Sequence, residues 1–223
     1  MNKAALFRFF LQLFVTIFAL DGFAAVTKED RANINKIIAK YRKSVLVKTQ
    51  LEKKTSSKLL NRDTEEKGQL YFSGGLIRYE TKQPDPALVV FDGKYLWNVQ
   101  LPSADFGGET IVARAEIDQK NRQQVIVTEL LTKESLFRHF DLNEAKTTDQ
   151  VLVLDATPKK GDWSLSKIKM HFSLKDEVVS RIEYWDDLNN HSDLKLNKQE
   201  FPEEPNKKLF NYKPPKGVKV NKL

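Results

Sequence analysis

The sequence predicts a mainly β protein of the α+β kind. Its core is one incomplete, strongly curved antiparallel β half-barrel, with helices as a lid over the concave apolar face. Three observations carry this. Period-two hydrophobic alternation recurs in segment after segment between Val45 and Phe201, while a helical period is confined to two places. Turn residues separate the alternating runs at short intervals, the order of a meander. Two helical segments and about ten strands make a sheet that must curl, and its apolar face must be covered.

Residues 27–41 read as the first helix. Thr27 suits its N-cap, Glu29 and Asp30 suit the positive end of its dipole, and Ile34, Ile37, Ile38, Tyr41 and Val45 follow one face. From Val45 the period becomes two, as in a half-buried strand, and charged residues 53–67 read as a loop or frayed strand ends. Residues 68–72, a Ser73-Gly74-Gly75 turn and residues 76–82 form a hairpin pattern. Residues 87–99 form a second one around Asp92-Gly93, which suits a two-residue type I′ turn. That turn pairs Phe91 with Lys94 and Leu88 with Trp97. Leu88, Val90, Tyr95, Trp97 and Val99 then share one face, with Lys94 and Asn98 on the wetter one. Residues 101–110 read as irregular, 111–128 as strand-like and Thr132–Phe140 as a short helix. Residues 150–157, 165–174, 178–185 and 192–201 read as consecutive antiparallel strands, in which Ile168, Met170, Phe172 and Leu174 alternate with polar neighbours. A last short strand includes residues 209–212, and Pro214-Pro215 confines the tail beyond to an edge or a loop.

Residues 1–24 read as a secretory signal peptide. Lys3 and Arg8 precede an apolar run from Phe9 to Leu20, and Gly22 and Ala24 suit a small-residue cut. The run is too short for a bilayer span, which needs roughly 20 residues. Residues 25–223 then form a single domain, exported to a periplasm-like compartment, which argues against nucleic acid as partner. The 223 residues carry 37 basic and 30 acidic side chains, net +7, a balance that favours anionic surfaces without naming one. Cysteine is absent, which excludes disulfides, thiolate catalysis, cysteine zinc sites and a lipid on an N-terminal cysteine.

Catalytic and cofactor signals are missing. His139, His171 and His191 lack partners at metal-ligand helical spacing and read as surface histidines. No nucleophile elbow, phosphate-binding loop or dinucleotide fingerprint is present. Asp186-Asp187 with Asn189-Asn190 lacks the glycine and glutamate of a calcium loop. The sequence therefore calls for no cofactor, no metal and no catalytic residue. Lysines crowd the C-terminus but are diluted by Glu200, Glu203 and Glu204, as on a solvated face.

Three segments, in order, resemble the bacterial outer-membrane lipoprotein carrier family, the periplasmic LolA type. They are Gly68-Gln69-Leu70-Tyr71-Phe72, the Gln83-Pro84 to Trp97 hairpin with its Asp92-Gly93, and Phe210-Asn211-Tyr212-Lys213-Pro214-Pro215-Lys216-Gly217-Val218. The resemblance implies a hydrophobic cavity that takes the acyl chains of lipoproteins. It also implies traffic from an inner-membrane lipoprotein-releasing ABC transporter to an outer-membrane lipoprotein receptor, and a soluble monomer that makes and breaks no bond. The family's receptor is lipidated on cysteine, so a chain without cysteine resembles the carrier. The alternative is a periplasmic protein of the same fold carrying another lipid or glycolipid; an envelope hydrolase is the third reading. Many family members have an Arg-Pro pair after the Gly-x-Leu-aromatic strand that latches the lid, where this chain has Ser73, Gly74 and Gly75.

Burial of a methylene contributes about 0.8 kcal/mol, so a chain of roughly 14 methylenes costs about 11 kcal/mol to expose to water. A carrier must shield such chains and still release them. On this reading the cavity is lined by Leu70, Phe72, Ile77, Tyr79, Leu88, Val90, Tyr95 and Trp97, with Ile168, Met170 and Phe172. Ile34, Ile37, Ile38 and Leu136 hold the lid by apolar contacts. A one-residue slip would flip the in/out assignment of a whole strand.

Overall fold

A computed structural model describes residues 25–83, 85–103, 107–118, 121–132, 136–159 and 163–222, apart from the side chains of Gln83, Leu136 and Phe137. The expected signal peptide, residues 1–24, lies outside the described residues. Helix α1 (Lys28–Lys43) starts where Thr27 caps it: Asp30 N–H donates to Thr27 Oγ1 at 3.0 Å, and Thr27 N–H donates back to Asp30 Oδ2 at 2.9 Å. Its apolar stripe, Ile34, Ile37, Ile38 and Tyr41, is buried.

The first run of strands is β1 (Val47–Ser57), β2 (Arg62–Ser73), β3 (Leu76–Gln83), β4 (Ala87–Phe91), β5 (Tyr95–Gln100) and β6 (Ile111–Glu116). A 3-10 turn (Arg122–Val125) leads into α2 (Ile126–Leu131), and α3 (Leu136–His139) leads into the second run. That run is β7 (Phe140–Thr148), β8 (Val151–Pro158), β9 (Leu165–Ser173), β10 (Val178–Asp186) and β11 (His191–Glu200). The chain closes with β12 (Val220–Lys222). All twelve strands join one sheet in the order β12-β6-β5-β4-β3-β2-β1-β11-β10-β9-β8-β7. Two meanders are thus stitched together where β1 pairs with β11, and the ends, β12 and β7, stay apart, so the barrel is incomplete. Among the described residues, only β12 runs parallel to its neighbour, β6. The proline-rich tail therefore reaches an edge, where a strand with few ladder bonds is tolerated.

Four expectations need correction, the first being the strand expected at residues 209–212, where Lys207–Phe210 form a 3-10 turn. Residues 53–67, expected as a loop or frayed strand ends, are ordered strand apart from the turn at 58–61, because β1 and β2 extend to it with charges set opposite each other. Lys53 and Glu66 lie 3.6 Å apart and Lys54 and Asp63 2.9 Å apart, so cross-strand pairing replaces hydrophobic alternation as the ordering signal. Residues 111–128 are strand only to Glu116; from Ile126 they are helical, and Ile126, Val127, Leu130 and Leu131 are buried. The β-branched run Val125-Ile126-Val127-Thr128 reads locally as strand, and tertiary burial overrides that preference. Within Thr132–Phe140 the helix is described over residues 136–139, residues 133–135 lie outside the described residues, Thr132 ends α2, and Phe140 opens β7.

The β4–β5 turn also differs. Phe91 pairs with Leu96, Val90 with Trp97 and Leu88 with Val99, a register two residues longer than a type I′ turn gives. The Asp92 carboxylate causes this by accepting from the N–H groups of Lys94 (2.9 Å) and Tyr95 (2.8 Å) and from Trp97 Nε1 (2.8 Å). A shift of two preserves parity, so the residues expected to share a face do share it.

Candidate functional site

Beneath α2 and its preceding 3-10 turn, the concave face of β1–β5, β10 and β11 leaves a cavity of about 610 Å³. Its wall has a direction. Along β1 the lining runs Leu51, Lys53, Thr55, Ser57; along β2, Leu70 and then Glu66; along β3, Ile77, Tyr79, Thr81. Along β4 it runs from Val89 to Ala87 with Asp85 beyond, along β10 from Tyr184 to Asp186, and along β11 from Leu194 through Ser192 to Asn190. The registers Leu51↔Gly68, Lys53↔Glu66, Thr55↔Ser192 and Thr81↔Ala87 align these gradients side by side. The cavity is therefore apolar in its depth and polar toward the β1–β2 and β10–β11 turns. Gln123, Gln124, Ile126 and Val127 form the roof.

Gly68 sits between Leu51 and Thr81 on the cavity floor. A Cβ there would meet the Glu80 carbonyl oxygen at 2.0 Å, so glycine is what lets β2 and β3 close at this point. The Tyr79 hydroxyl is buried without a hydrogen-bond partner. Its pKa is pushed up by burial and, secondarily, by the Glu66 carboxylate, so the phenol stays neutral.

The structure divides the residues singled out in the sequence into three groups. Leu70, Ile77 and Tyr79 line the cavity. Phe72, Ile168, Met170 and Phe172 lie on the same concave face. They are buried in one continuous core with Ile34, Ile37 and Ile38 and with the lining residues Leu70, Ile77 and Tyr79, and are not themselves part of this cavity's lining. Leu88, Val90, Tyr95 and Trp97 point the other way, and their placement inside is a correction. With Val99 and Val112 they form a second cluster on the convex face, covered by Tyr212, Val218 and Val220 of the tail. Trp97 and Tyr212 rings pack 5.4 Å apart, and the Arg114 guanidinium lies 4.3 Å from the Tyr95 ring centre. Periodicity fixed which residues share a face but not which face looks inward, because both faces of β4 and β5 are buried. Asn98, read as the wetter outside, lines the cavity. The side chain of Leu136 lies outside the described residues.

Helix α1, which contributes no residue to the cavity lining, is held by more than grease. The Tyr41 hydroxyl donates to Gln199 Oε1 at 2.6 Å and accepts from Val179 N–H at 2.8 Å, while Gln199 Nε2 donates to Val179 C=O at 2.7 Å. The β10–β11 ladder stops at Arg181↔Lys195, so these side chains satisfy backbone groups the sheet leaves free. Lys36, midway along the helix, also pairs with Glu177 on its exposed side. At the position of the family's arginine, the Ser73 hydroxyl donates to Val45 C=O at 2.5 Å, ahead of a positive-φ turn at Gly74 and Gly75. Arg78 faces away from the cavity, pairing with Glu80 and donating to Leu209 C=O at 3.1 Å.

Two of the histidines share a partner that lies eight and twelve residues away in the chain. His171 and His191 flank the Glu183 carboxylate from neighbouring strands at 2.8 and 3.1 Å, on the convex face. The hydrogen bond from His171, opposed by burial and aided by Arg181, lowers the Glu183 pKa to about 2. Strand pairing, not chain spacing, brings these groups together. No group of three or more His, Cys, Asp or Glu side chains among the described residues is arranged to hold a metal ion.

A curled sheet around an unfilled hollow, greasy within and polar at its mouth, defines a half-barrel of the binding type. The chain belongs to the family described as outer membrane lipoprotein carrier protein LolA, whose model matches residues 43–213. It is 28% identical over 157 residues to the outer-membrane lipoprotein carrier protein of Legionella pneumophila (strain Corby), covering 66% of this chain and 69% of that one. It is 26% identical over 150 residues to the protein of the same name from Dechloromonas aromatica, covering 66% of each. Among solved structures, the LolA superfamily protein NE2245 from Nitrosomonas europaea aligns with a TM-score of 0.46 at 12% identity, over 85% of this chain and 98% of that one.

Proposed function

We propose that this protein is a periplasmic carrier that shields the acyl chains of lipoproteins in the cavity beneath α2. It takes them from an inner-membrane ABC transporter and delivers them to an outer-membrane receptor. On this reading residues 1–24 direct export and are removed, residues 25–223 work as a single monomeric domain, and no bond is made or broken. The supporting observation is the directed wall. Leu51, Leu70, Ile77, Val89 and Leu194 offer an apolar end for a chain, and Lys53, Glu66, Asp186 and Asn190 offer a polar end for what the chain is attached to. No helix among the described residues is long and apolar enough to cross a membrane.

Volume sets the occupancy. With about 30 Å³ per methylene, close to the share of one water molecule in the liquid, a 14-methylene chain fills about 400 Å³. The cavity of about 610 Å³ takes one such chain with space to spare, but three chains require the lid to move. This supports a second reading, a carrier of a lipid or glycolipid with fewer chains. Mass spectrometry of protein purified from its native periplasm separates the two: acylated peptides support lipoprotein cargo, and free lipid supports the second reading. Ile37→Glu, which places a charge in the buried face of α1, is expected to abolish lipoprotein release from spheroplasts. Unchanged release would refute the carrier assignment.

A further inference from the structure

The Tyr79 side chain lines the cavity, is only 7% exposed, and carries a buried hydroxyl that meets no hydrogen-bond partner. The next hydroxyl along β3 is committed: Thr81 Oγ1 donates to Asp85 C=O at 2.9 Å and accepts from Ala87 N–H at 3.0 Å. A phenylalanine at position 79 would supply the same ring without burying an unpaired polar atom, which is costly. The hydroxyl also has a defined level in the wall. Leu70 and Val89 stand opposite Tyr79 in the neighbouring strands, and Ile77 lies deeper along β3. The Glu66 carboxylate of the polar wall is near enough to help raise the Tyr79 pKa. The hydroxyl therefore sits where apolar wall gives way to polar wall.

We propose that the Tyr79 hydroxyl donates to the head carbonyl of a bound acyl chain, so that the cavity selects chains linked as an ester or an amide over the free acid. The inference rests on the reading of the cavity as an acyl-chain site and names the part of the ligand that is read. A chain that fills the cavity drives out water, and the phenol must then find its acceptor on the ligand. Methylenes offer none. A carbonyl at the first carbon does, and it leaves the tail against Leu70, Ile77 and Val89 and the rest of the ligand toward Lys53 and Glu66. Charge in the wall acts against a free carboxylate. Among the described residues, Lys53 is the one cation of the lining, and it is already paired with Glu66 at 3.6 Å, which leaves Asp85 and Asp186 unopposed there. An ionised head at this level meets like charge, and a neutral carbonyl does not.

The test uses the mature protein and the dye N-phenyl-1-naphthylamine, whose uptake reports the cavity and whose displacement reports a competing ligand. Monopalmitoylglycerol and 1-O-hexadecylglycerol share chain length and an uncharged glycerol head, and only the first has a carbonyl. Wild type is expected to bind the ester about tenfold more tightly than the ether, the size of one net hydrogen bond. In Tyr79→Phe that ratio is expected to fall to about one, because neither head then meets a donor. The ratio compares two ligands on one protein, so a change in the variant's stability does not move it. Ionised palmitate is expected to displace the dye more weakly than the ester. Weaker binding of N-palmitoylethanolamine to the variant would support the amide contact, and unchanged binding would overturn that half. Equal affinity for ester and ether in wild type, or a preference that survives in Tyr79→Phe, would overturn the carbonyl contact and leave the acyl-chain reading standing. Palmitate that binds as well as the ester would overturn the selection by charge. No displacement by ester, ether or palmitate would overturn both the contact and the acyl-chain reading.

Discussion

Tyr41→Phe is the sharpest probe of how α1 is held. The change removes one oxygen and keeps the ring, which packs 6.1 Å from Phe72 and 5.5 Å from Phe201 between centroids. What it takes away is the acceptor for Val179 N–H and the donor to Gln199 Oε1. Val179 is fully buried and its N–H has no place in the β10–β11 ladder, so it is left unsatisfied. Such a loss costs about 1–3 kcal/mol. At a middle value of about 2 kcal/mol, the population with α1 lifted rises about thirtyfold, since 1.4 kcal/mol is a factor of ten. Hydrogen exchange read by mass spectrometry is the assay. Amides of residues 34–41 are expected to exchange about thirtyfold faster in the variant, while those of β9 keep their protection up to the global limit. If α1 exchanges as slowly as in wild type while the whole protein melts earlier, the hydroxyl serves only the sheet edge. The latch reasoning would then be wrong.

Two further outcomes are expected. Trp97→Ala opens the convex cluster and is expected to destabilise the protein by about 3–5 kcal/mol in urea melts. Dye uptake at temperatures where the variant is folded is expected to match wild type, because Trp97 lies behind the sheet; loss of uptake would place it back inside. The Glu183 pKa is about 2 when folded against an ordinary 4.5, so its contribution is present above pH 4.5 and lost as pH falls through 2. That contribution is about 3 kcal/mol. Glu183→Gln is expected to be less stable than wild type at pH 6 and to flatten the acid limb of stability between pH 4.5 and 2. Equal slopes for the two proteins in urea melts across that range would contradict the pairing with His171 and Arg181.

Local signals made most of the architecture legible. The Thr27 cap and the Ile34–Tyr41 stripe mark α1, and the clean alternation around Ile168, Met170 and Phe172 marks β9, because each is written within a dozen residues. The misread parts depend on partners distant in sequence. Lys53 and Lys54 look like loop charges until Glu66 and Asp63 stand opposite them. Ile126 and Val127 look like strand until a concave sheet needs a roof. Leu88, Val90, Tyr95 and Trp97 were correctly grouped, yet nothing in their own segment says that residues 212–220 will cover them and leave Asn98 facing the cavity.

That inversion bears on how such a fold keeps a hollow at all. A curved sheet has two faces to stabilise, and an empty concave face forgoes packing that a closed core would supply. Here the convex cluster under Tyr212, Val218 and Val220 lies behind the sheet, and the core around Phe72, Met170 and Phe172 continues the concave face beyond the cavity wall. Stability can therefore come from regions that cargo does not touch, and the wall from Leu51 to Ser57 is free to be chosen for its gradient. Polar wall positions near the turns, such as Ser57 and Asn190, would be costly in a filled core, but at a mouth they meet water or a headgroup. The division makes one demand of the molecule: substitutions in the convex cluster should change melting far more than binding, and substitutions along the cavity wall should do the reverse.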